Sequence, residues 1–543
     1  MGEAERKPRI VYFCHPAEAF PVHMVHAYHT NQLKWLHWFF DVRVVSEDVD
    51  FAQCMETHQP DLVLFGTGVE KMQRNFPRIT NIASFPRIPR VGYLLSDCYS
   101  PSRIAALAQF EVLGVETIFS LDTAMEGHFP WPTDRLFCIP WFVDTEVFRD
   151  LEGERDIPVG LLGSGFFPPG IRYPWRGRVG PLLLERVPAL IAQRPYGAKQ
   201  HEFVGDAYVK MLNRIRILLA DGGVERRLVR KMLEGPAAGC LLVAESGKVM
   251  ESAGFKDGEN CLFADEADVV DRVKQVLHDV SEWDRIRKNG WRLVHDRHGF
   301  KDRRQLRQWL DLNKQKKGNE RIVQPDLFGD LGLEPVDCYP RPRERDANPI
   351  DECLSSASRC VFEGRINEAD LLYRKVLEAI SWMAEGRLGV AICMLWRGLF
   401  EGAMDELDHT RDYIRKGQCS LSNGELPRED PVGMAFRLVA LHGMRRAEES
   451  RDMILSSREI DHPALNAARQ LVVSNASVVI TKGEGAATPS IHPVPDWQSL
   501  EWRIYFQKLL SQGLRARKLR GIKSRLKRLR LCICHGKAVC NQA

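Results

Sequence analysis

Short apolar runs alternate with amphipathic stretches of helical spacing over roughly the first 145 residues. The apolar runs that predict strands are 9–14, 42–45, 61–65, 91–95, 115–119 and 136–139. The first helix is predicted over 22–40. Short apolar strands separated by helices are typical of a parallel sheet that is covered on both faces. Residues 1–150 are therefore predicted to form a doubly wound α/β domain.

The same pattern starts again after a connecting segment, 139–156. The strands predicted in this second series are 157–163, 201–205, 240–244 and 261–263, and the helices are 225–238, 266–279 and 281–310. Residues 151–312 are thus predicted to be a second α/β domain. Two such domains in succession place a cleft between the carboxyl ends of two sheets, which is where ligands of these folds bind.

The third region of the chain has a helical period. Residues 313–350 are polar and are predicted to be a linker. Small residues then recur 34 positions apart: Ala357, Gly364 and Ala369 return as Ala391, Gly398 and Ala403. This period and its small residues resemble the tetratricopeptide repeat, in which paired helices approach closely and bury a shared face. An all-α helical-repeat module is predicted over 351–465, with a generic helical bundle as the alternative.

The C-terminal segment, 466–543, begins polar and ends strongly basic. Residues 515–530 contain nine Lys or Arg and no acid, although the whole chain has a formal net charge of only +4. Leu519, Ile522, Leu526 and Leu529 have helical spacing among these cations, which predicts a basic amphipathic helix. Such a helix suits peripheral contact with an anionic membrane surface or a charged partner. The alternative is a solvated, disordered tail.

Composition and termini predict a cytoplasmic protein. The N-terminus is charged and lacks the apolar core of a signal peptide. No apolar run approaches the roughly 20 residues that span a bilayer. The 14 cysteines are scattered singly, as in a reducing compartment. The chain apart from its tail is mildly acidic, which excludes a nucleic-acid partner for the body.

The segment 230–265 has the residue types of a nucleotide site. It is predicted to run from a helix through a glycine turn into a strand, followed by a loop and a further strand. Glu234 lies on the helix, where its carboxylate can accept hydrogen bonds from two vicinal ribose hydroxyls. Gly239 allows the tight turn into the strand.

This segment resembles group 1 glycosyltransferases, and most closely their spore maturation protein-like (CgeB-type) branch. The resemblance is carried by Lys231-Met-Leu-Glu234, by Ala237-Ala-Gly239 and by Asp257-Gly258-Glu259. Upstream, the crossover 139–144 with Phe148 and the strand and glycine turn 159–165 are similar to the same family. The resemblance covers about residues 8–310 and implies the GT-B fold, which consists of two Rossmann-like domains.

The resemblance also implies a set of donor-binding residues in the second domain. Glu234 would bind the ribose, and Lys231 and Arg176 are candidate cations for the diphosphate. The backbone around Gly163, Ser164 and Gly165 would approach the phosphates. The same motifs add Gly239, Gly258 and Glu259 to the donor-binding candidates. The nucleotide-sugar is then a substrate, and neither a cofactor nor a metal is expected, because cations stabilise the departing diphosphate.

One departure from the family concerns a pair of glutamates spaced eight residues apart. Arg226 occupies the position of the first glutamate, and Glu225 lies one place away. The resemblance therefore does not extend to a retaining stereochemical outcome.

The catalytic candidates lie in the first domain, which would bind the acceptor. Asp97 follows the strand 91–95, where it can take the acceptor proton in an inverting reaction. The alternative for Asp97 is a helix cap before Ser100-Pro101. His15 follows the first strand, where the family's acceptor loop lies.

Three functions remain open at this point. The first is sugar transfer from a nucleotide-sugar to a protein or glycan acceptor that the helical repeats recruit. The second is a non-catalytic scaffold that presents those repeats to a partner. The third is a sugar-nucleotide epimerase on the same fold.

Overall fold

The chain divides into two compact units in the computed structural model. One unit comprises residues 1–350 with 416–426, and the other comprises 351–415 with 427–543. The structure describes residues 6–20, 25–67, 76–96, 98–124, 135–164, 173–194, 204–337, 346, 348–418, 429–473, 488, 490–492, 494–495 and 497–540. Each unit is described by itself below.

The first unit opens with a six-stranded parallel sheet. Its strands are β1 (Arg9–Cys14), β2 (Asp41–Val45), β4 (Leu62–Thr67), β6 (Arg90–Leu94), β7 (Thr117–Ser120) and β8 (Leu136–Cys138). Two further strands, β3 (Val49–Asp50) and β5 (Ile79–Thr80), form a separate parallel pair. The order in the large sheet is β2-β1-β4-β6-β7-β8. The helices beside it are a π-helix (His26–Thr30), α1 (Asn31–Phe39), α2 (Phe51–His58) and α3 (Pro101–Val112). All six predicted strands of this half are thus present, displaced by at most two residues at an end.

A five-stranded parallel sheet follows. Its strands are β9 (Ile157–Ser164), β10 (Ala189–Arg194), β11 (Ile215–Ala220), β12 (Leu241–Ala244) and β13 (Leu262–Phe263), in the order β10-β9-β11-β12-β13. Its helices are α4 (Pro174–Arg186), α5 (Asp206–Arg214), α6 (Lys231–Ala237), α7 (Lys248–Ser252), α8 (Val269–His278) and α9 (Val280–Arg297). The α/β prediction with parallel sheets is confirmed. Two strands of this sheet, β10 and β11, were not predicted.

Both large sheets place the first strand between the second strand and a later one. The order therefore reverses between β1 and β4 in the first sheet, and between β9 and β11 in the second. Open parallel sheets bind ligands in the crevice outside the carboxyl ends of their strands at such a reversal. A ligand site is consequently expected at the ends of β9 and β11.

The chain returns to the first half after α9. A short 3-10 turn (Phe300–Asp302), α10 (Gln305–Gln315) and an antiparallel hairpin, β14 (Glu320–Val323) and β15 (Gly332–Pro335), form this return. The helix predicted over 281–310 is therefore two helices with a break at 298–304. The buried Arg303 fills that break, and its guanidinium donates to the carbonyls of Pro140 and Trp141 at 3.1 Å each.

Specific contacts hold the return segment against the first half. The ring of Trp309 meets Phe119 edge-on at 6.4 Å, and the Gln324 amide exchanges hydrogen bonds with the backbone of Cys138. Lys314 pairs with Asp61 at 2.9 Å. The interval 313–350, expected as a polar linker, thus holds packed structure up to β15.

The second unit is all-helical. Its helices are α11 (Pro349–Phe362), α12 (Ile366–Ala379), α13 (Ala384–Trp396), α14 (Phe400–Gln418), α15 (Pro431–Met444), α16 (Ala447–Ser456), α17 (Pro463–Val473) and α18 (Ser499–Cys540). The turns after α11 and α13 contain Gly364 and Gly398, with φ of +77° and +66°. The alanines that carry the 34-residue period, Ala357, Ala369, Ala391 and Ala403, are all fully buried. Small residues at these positions let the paired helices approach closely.

The long C-terminal helix α18 belongs to this unit through its first half. Trp502, Phe506 and Leu509 are buried in the same core as α13, α15 and α17. Further along, the Arg517 guanidinium donates to the Gly443 carbonyl at 3.2 Å, and Arg520 donates to the carbonyls of Arg397 and Gly398. These carbonyls end α15 and α13, where a cation complements the helix dipole. Among the described helices, none combines the length and apolar character that crossing a bilayer requires.

Candidate functional site

Two cations converge over a glycine at the carboxyl end of β9. Gly163 has φ +148°, a backbone conformation that favours glycine. A Cβ at this position would overlap Lys231 Nζ and lie 2.9 Å from Arg176 Nη1. Glycine is therefore required both by the backbone and by the approach of the two cationic groups. The result is a concentration of positive charge at the point where the strand order reverses.

Arg176 is fixed in this position by a buried carboxylate. It lies in the first turn of α4 and is almost completely buried. Its Nη2 donates to Asp221 Oδ1 at 2.7 Å, and its backbone N–H donates to the other oxygen at 3.1 Å. The guanidinium also lies 4.3 Å from the ring centroid of Tyr173. Since Asp221 directly follows β11, this pair joins the ends of the two strands that flank the reversal.

Lys231, the first residue of α6, is the more responsive of the two cations. Burial, together with the neighbouring Arg176 charge, lowers the pKa of Lys231 to about 7 against the opposing effect of Glu234. An amine with this pKa gains a proton when an anion binds beside it. The pair Arg176 and Lys231 thus gathers two basic groups at one point, which is an arrangement suited to an anion.

Glu234 lies one helical turn beyond Lys231 and is held by two partners. The Tyr208 hydroxyl donates to Glu234 Oε2 at 3.0 Å, and Arg230 Nη1 lies 3.4 Å from Oε1. Burial, followed by the charge of Glu234, raises the pKa of Tyr208 well above its usual value, so the phenol stays protonated as a donor. The carboxylate is consequently oriented by two donors and lies close to Lys231.

The first half of the unit covers this group with aromatic rings. The Arg230 guanidinium lies 5.6 Å from the ring centroid of Trp141 and 5.8 Å from that of Tyr28. Phe148 contacts the Tyr208 ring edge-on at 6.0 Å. Tyr28 comes from the π-helix, and π-helical turns recur at functional sites. The site is therefore built from both α/β halves, with the charges on the second and the apolar cover on the first.

The position where the family has its first glutamate is occupied by Arg226. This residue has φ +51°, and its guanidinium pairs with Glu245 Oε1 at 3.3 Å. Glu245 follows β12 at the same carboxyl edge, and burial raises its pKa above the usual carboxyl value. Glu225, the residue before Arg226 in the sequence, is buried. A carboxylate thus does reach this edge of the sheet, from β12 rather than from the expected position.

Three of the residues implied by the family resemblance lie elsewhere in the second half. Gly239 precedes β12 at the amino edge of the sheet, where a Cβ would meet Asp150 at 2.5 Å. Gly258 and Glu259 form the turn before β13, and Glu259 is exposed. Arg285 of α9 donates to the Gly258 carbonyl at 2.7 Å, so this turn packs against α9. The structure does not bring these three residues to the Arg176–Lys231 pair.

Two of the remaining predicted residues, Ser164 and His15, lie at the carboxyl edges of the sheets. Ser164 ends β9, and its side chain lies outside the described residues, as does Gly165. Asp97 is also outside them. His15 directly follows β1, is fully buried, and has ring contacts with Phe20 and Phe76 at 6.1 and 5.4 Å.

Several site residues were missed by the sequence analysis: Asp221, Tyr208, Arg230, Tyr28 and Trp141. Two of them carried a usable signal. Arg230 stands four positions before Glu234, which is the spacing of a helical ion pair. Asp221 directly follows an apolar run, 215–220, that the analysis did not recognise as a strand. The aromatic cover carried no local signal, because it reaches the site from the other half of the unit.

In the part of the chain that the structure describes, no three His, Cys, Asp or Glu side chains gather as a metal-binding group.

Comparison with known proteins gives one family match, which lies in the second half. Residues 148–311 match a family model described as glycosyl transferase-like. A search of the curated proteins finds no match.

Three of the solved structures that are similar to this chain are described here by their identity and coverage. HepE from Anabaena, solved with UDP-glucose, is 12% identical over 57% of this chain and 99% of its own, with a TM-score of 0.36. Sucrose-phosphate synthase from Thermosynechococcus elongatus is 11% identical over 57% and 99%, with a TM-score of 0.38. The C-terminal domain of the group 1 glycosyl transferase LpcC from Francisella tularensis is 16% identical over 29% and 98%, with a TM-score of 0.24.

The matched residues, 148–311, contain β9 to β13 and the cluster of Arg176, Lys231 and Glu234.

Proposed function

We propose that this protein transfers a sugar from a nucleoside-diphosphate donor to a protein or glycan acceptor. The observation that carries the proposal is the convergence of Arg176 and Lys231 over Gly163, at the carboxyl end of β9 in a glycosyl transferase-like domain. A diphosphate leaving group develops negative charge as its bond to the sugar breaks. Two cations held in place before the reaction stabilise that charge without reorganising.

The roles within the site follow from chemistry and position. Arg176 and Lys231 hold the diphosphate, and the backbone from Gly163 to Gly165 approaches it closely. Glu234 accepts hydrogen bonds from the ribose hydroxyls, and Tyr208 and Arg230 keep its carboxylate oriented. In this proposal the cations replace a metal ion, and the nucleotide-sugar is a substrate rather than a cofactor.

The acceptor half of the reaction belongs to the first α/β half in this proposal. Asp97 takes the proton from the acceptor hydroxyl, and His15 supports the same edge. The fold is then a GT-B arrangement of two Rossmann-like domains, of the CgeB-type branch. The helical unit acts as a set of tetratricopeptide-like repeats that recruits the acceptor in the cytoplasm.

Donor turnover tests the proposal. The full chain is incubated with a panel of nucleotide-sugars, and the release of nucleoside diphosphate is measured. Glu234→Gln keeps the volume of the side chain and removes its charge. Glu251→Gln is the matched control, because Glu251 is an exposed carboxylate of the same half on α7.

Release from one donor that is lost in Glu234→Gln and kept in Glu251→Gln supports the transferase. Binding of a donor without any release favours the scaffold function, in which the site has lost its chemistry. Conversion of the donor sugar without release of diphosphate favours the epimerase. Neither binding nor release from any donor overturns the proposal.

A further inference from the structure

Beyond residue 510, helix α18 exposes apolar side chains that have no role in the helical core. Leu514, Leu519 and Ile522 are 42%, 60% and 47% exposed. The preceding residues Phe506 and Leu509 are fully buried. The helix therefore changes along its length from a core element to an element with an uncovered apolar stripe.

The stripe continues in the sequence towards the end of the helix. Leu526, Leu529 and Ile533 follow Leu519 and Ile522 at alternating spacings of three and four residues. In a helix that runs from Ser499 to Cys540, this spacing places all five positions on one face. Their angular spread is about 80°, which is a narrow stripe of the kind that lies on a surface.

Charge distinguishes this stripe from an ordinary buried face. The nine cations of 515–530 occur without a single acid. By helical position, Lys518 and Arg525 flank the stripe on one side, and Lys523 and Arg530 flank it on the other. An apolar stripe bordered by cations is complementary to a lipid surface whose headgroups are anionic.

The helix is fixed to the rest of the helical unit just before the stripe and at its start, at residues 517–520. Arg517 and Arg520 donate to the carbonyls that end α15 and α13. In the same segment of the helix, the Leu519 and Ile522 side chains are exposed to solvent. Since the helix is anchored at this point, its stripe is presented from a folded unit rather than from an unstructured tail.

We propose that residues 514–533 form a docking surface for anionic membrane lipid. The cations bind acidic headgroups, and the apolar stripe that begins with the exposed Leu519 and Ile522 enters the boundary between headgroups and acyl chains. This attachment is peripheral and reversible, and it is independent of the transfer chemistry proposed above.

Sedimentation of the full chain with vesicles tests the proposal. One vesicle is phosphatidylcholine alone, and the other contains about a third phosphatidylserine, a fraction at which anionic surface attraction is strong. The expected result is binding to the anionic vesicle only, weakened as salt is raised because the surface potential is screened.

Two matched double variants separate insertion from simple attraction. Leu519→Gln with Ile522→Gln removes two members of the stripe, both exposed, and is expected to weaken vesicle binding about tenfold or more. Leu500→Gln with Ile504→Gln is the control. These two residues are 59% and 58% exposed on the same helix but lie outside the basic segment. The control is expected to bind like the wild type.

Three results would overturn the proposal. One is no binding to anionic vesicles. Another is equal loss in both double variants, which would reflect general surface hydrophobicity. The third is unchanged vesicle binding in Leu519→Gln with Ile522→Gln, together with equally tight binding of RNA, which would identify a polyanion site without lipid insertion.

Discussion

The two α/β halves of the first unit have the same strand order but opposite chemistry at their carboxyl edges. The second sheet ends in Gly163, Asp221 and Glu245, and its helices bring Arg176 and Lys231 to that edge. The first sheet ends in His15, Thr67 and Asp122, which are all buried. Asp122 accepts a hydrogen bond from the Cys98 backbone at 2.7 Å, so its carboxylate organises a loop.

This difference shows how one topology is given two roles. The strand order determines where a ligand can lie, and the residues that follow each strand determine which ligand it is. In the second half, two basic residues converge at this edge, and in our proposal they select an anion. In the first half, neutral and acidic groups fill the same position. The predictions below test this division, beginning with the largest expected effect.

Lys231→Met is expected to have the largest effect. The substitution keeps the length of the side chain and removes the cation that responds to the ligand. We expect nucleoside diphosphate release to fall about 100-fold or more, because one preorganised group that stabilises the leaving charge is lost. Steady-state kinetics with the accepted donor measure this. A fall of less than threefold would place the diphosphate elsewhere.

Lys231 is preferred to Arg176 for this experiment. Arg176 is paired with the buried Asp221, and removal of one partner from such a pair costs about 3–5 kcal/mol of stability. A loss of activity in an Arg176 variant would therefore not separate folding from chemistry.

Glu234→Gln is expected to have an intermediate effect. The amide keeps the volume and can still accept from Tyr208, but it accepts a ribose hydroxyl more weakly than a carboxylate does. We expect kcat/KM for the donor to fall about tenfold to 100-fold, since a charged hydrogen bond contributes about 1.5–3 kcal/mol. Comparison with Glu251→Gln isolates the site effect. Equal kinetics in the two variants would contradict the role of Glu234.

The pH dependence of diphosphate affinity is the third prediction. In the unliganded protein the pKa of Lys231 is about 7, so the amine is largely neutral at pH 8 and above. An anion raises that pKa, and a proton is taken up on binding. Affinity should therefore fall as pH rises above 7, by up to about tenfold per unit for one linked proton. Lys231→Met should remove this dependence.

Stability of the unliganded protein should respond in the opposite sense. Above pH 7 the native Lys231 has lost its proton, whereas the unfolded chain retains one until its ordinary pKa near 10.5. The free energy of unfolding contributed by this group thus rises with pH between these values. Denaturant unfolding of wild type and Lys231→Met at pH 7 and pH 9 measures the difference. An unchanged difference between the two proteins would contradict the shifted pKa.

Asp122→Asn is expected to have the smallest effect on the donor. The amide can still accept from the Cys98 backbone, and Asp122 lies 3.7 Å from Arg227, which is at the limit of an ion pair. We expect donor affinity to change by less than about twofold, because a long pair of this kind contributes little. A tenfold loss would show that the first edge shares the charge recognition of the second.

Apolar runs that follow polar residues were correctly predicted as strands, whereas an apolar run that directly follows a helix was missed. The run 9–14 became β1 and 157–163 became β9, because each is preceded by polar residues. Ile215–Ala220 was missed because it follows α5 directly, with Ile215 as the helix C-cap. Its cationic neighbour Arg214 pairs with Asp156.

The site was predictable in its local part. Lys231 and Glu234 share one helix, so their proximity follows from helical geometry. Arg176 was identified only as a cation of suitable type, and nothing in its own segment indicates that Asp221 would hold it beside Gly163. The rings of Tyr28 and Trp141 come from the other half and depend on the return of the chain through Arg303. Such long-range contacts have no signature in a single sequence.

Calorimetric titration of the full chain with UDP, GDP and ADP at pH 8 tests the central claim most directly. The measurement is repeated in buffers of different ionisation enthalpy, which reports protons taken up on binding. We predict that one nucleoside diphosphate binds with net proton uptake, and that Lys231→Met loses both the uptake and most of the affinity while Glu251→Gln keeps both. Binding without proton uptake that is unchanged in Lys231→Met would contradict the account, as would the absence of binding by all three.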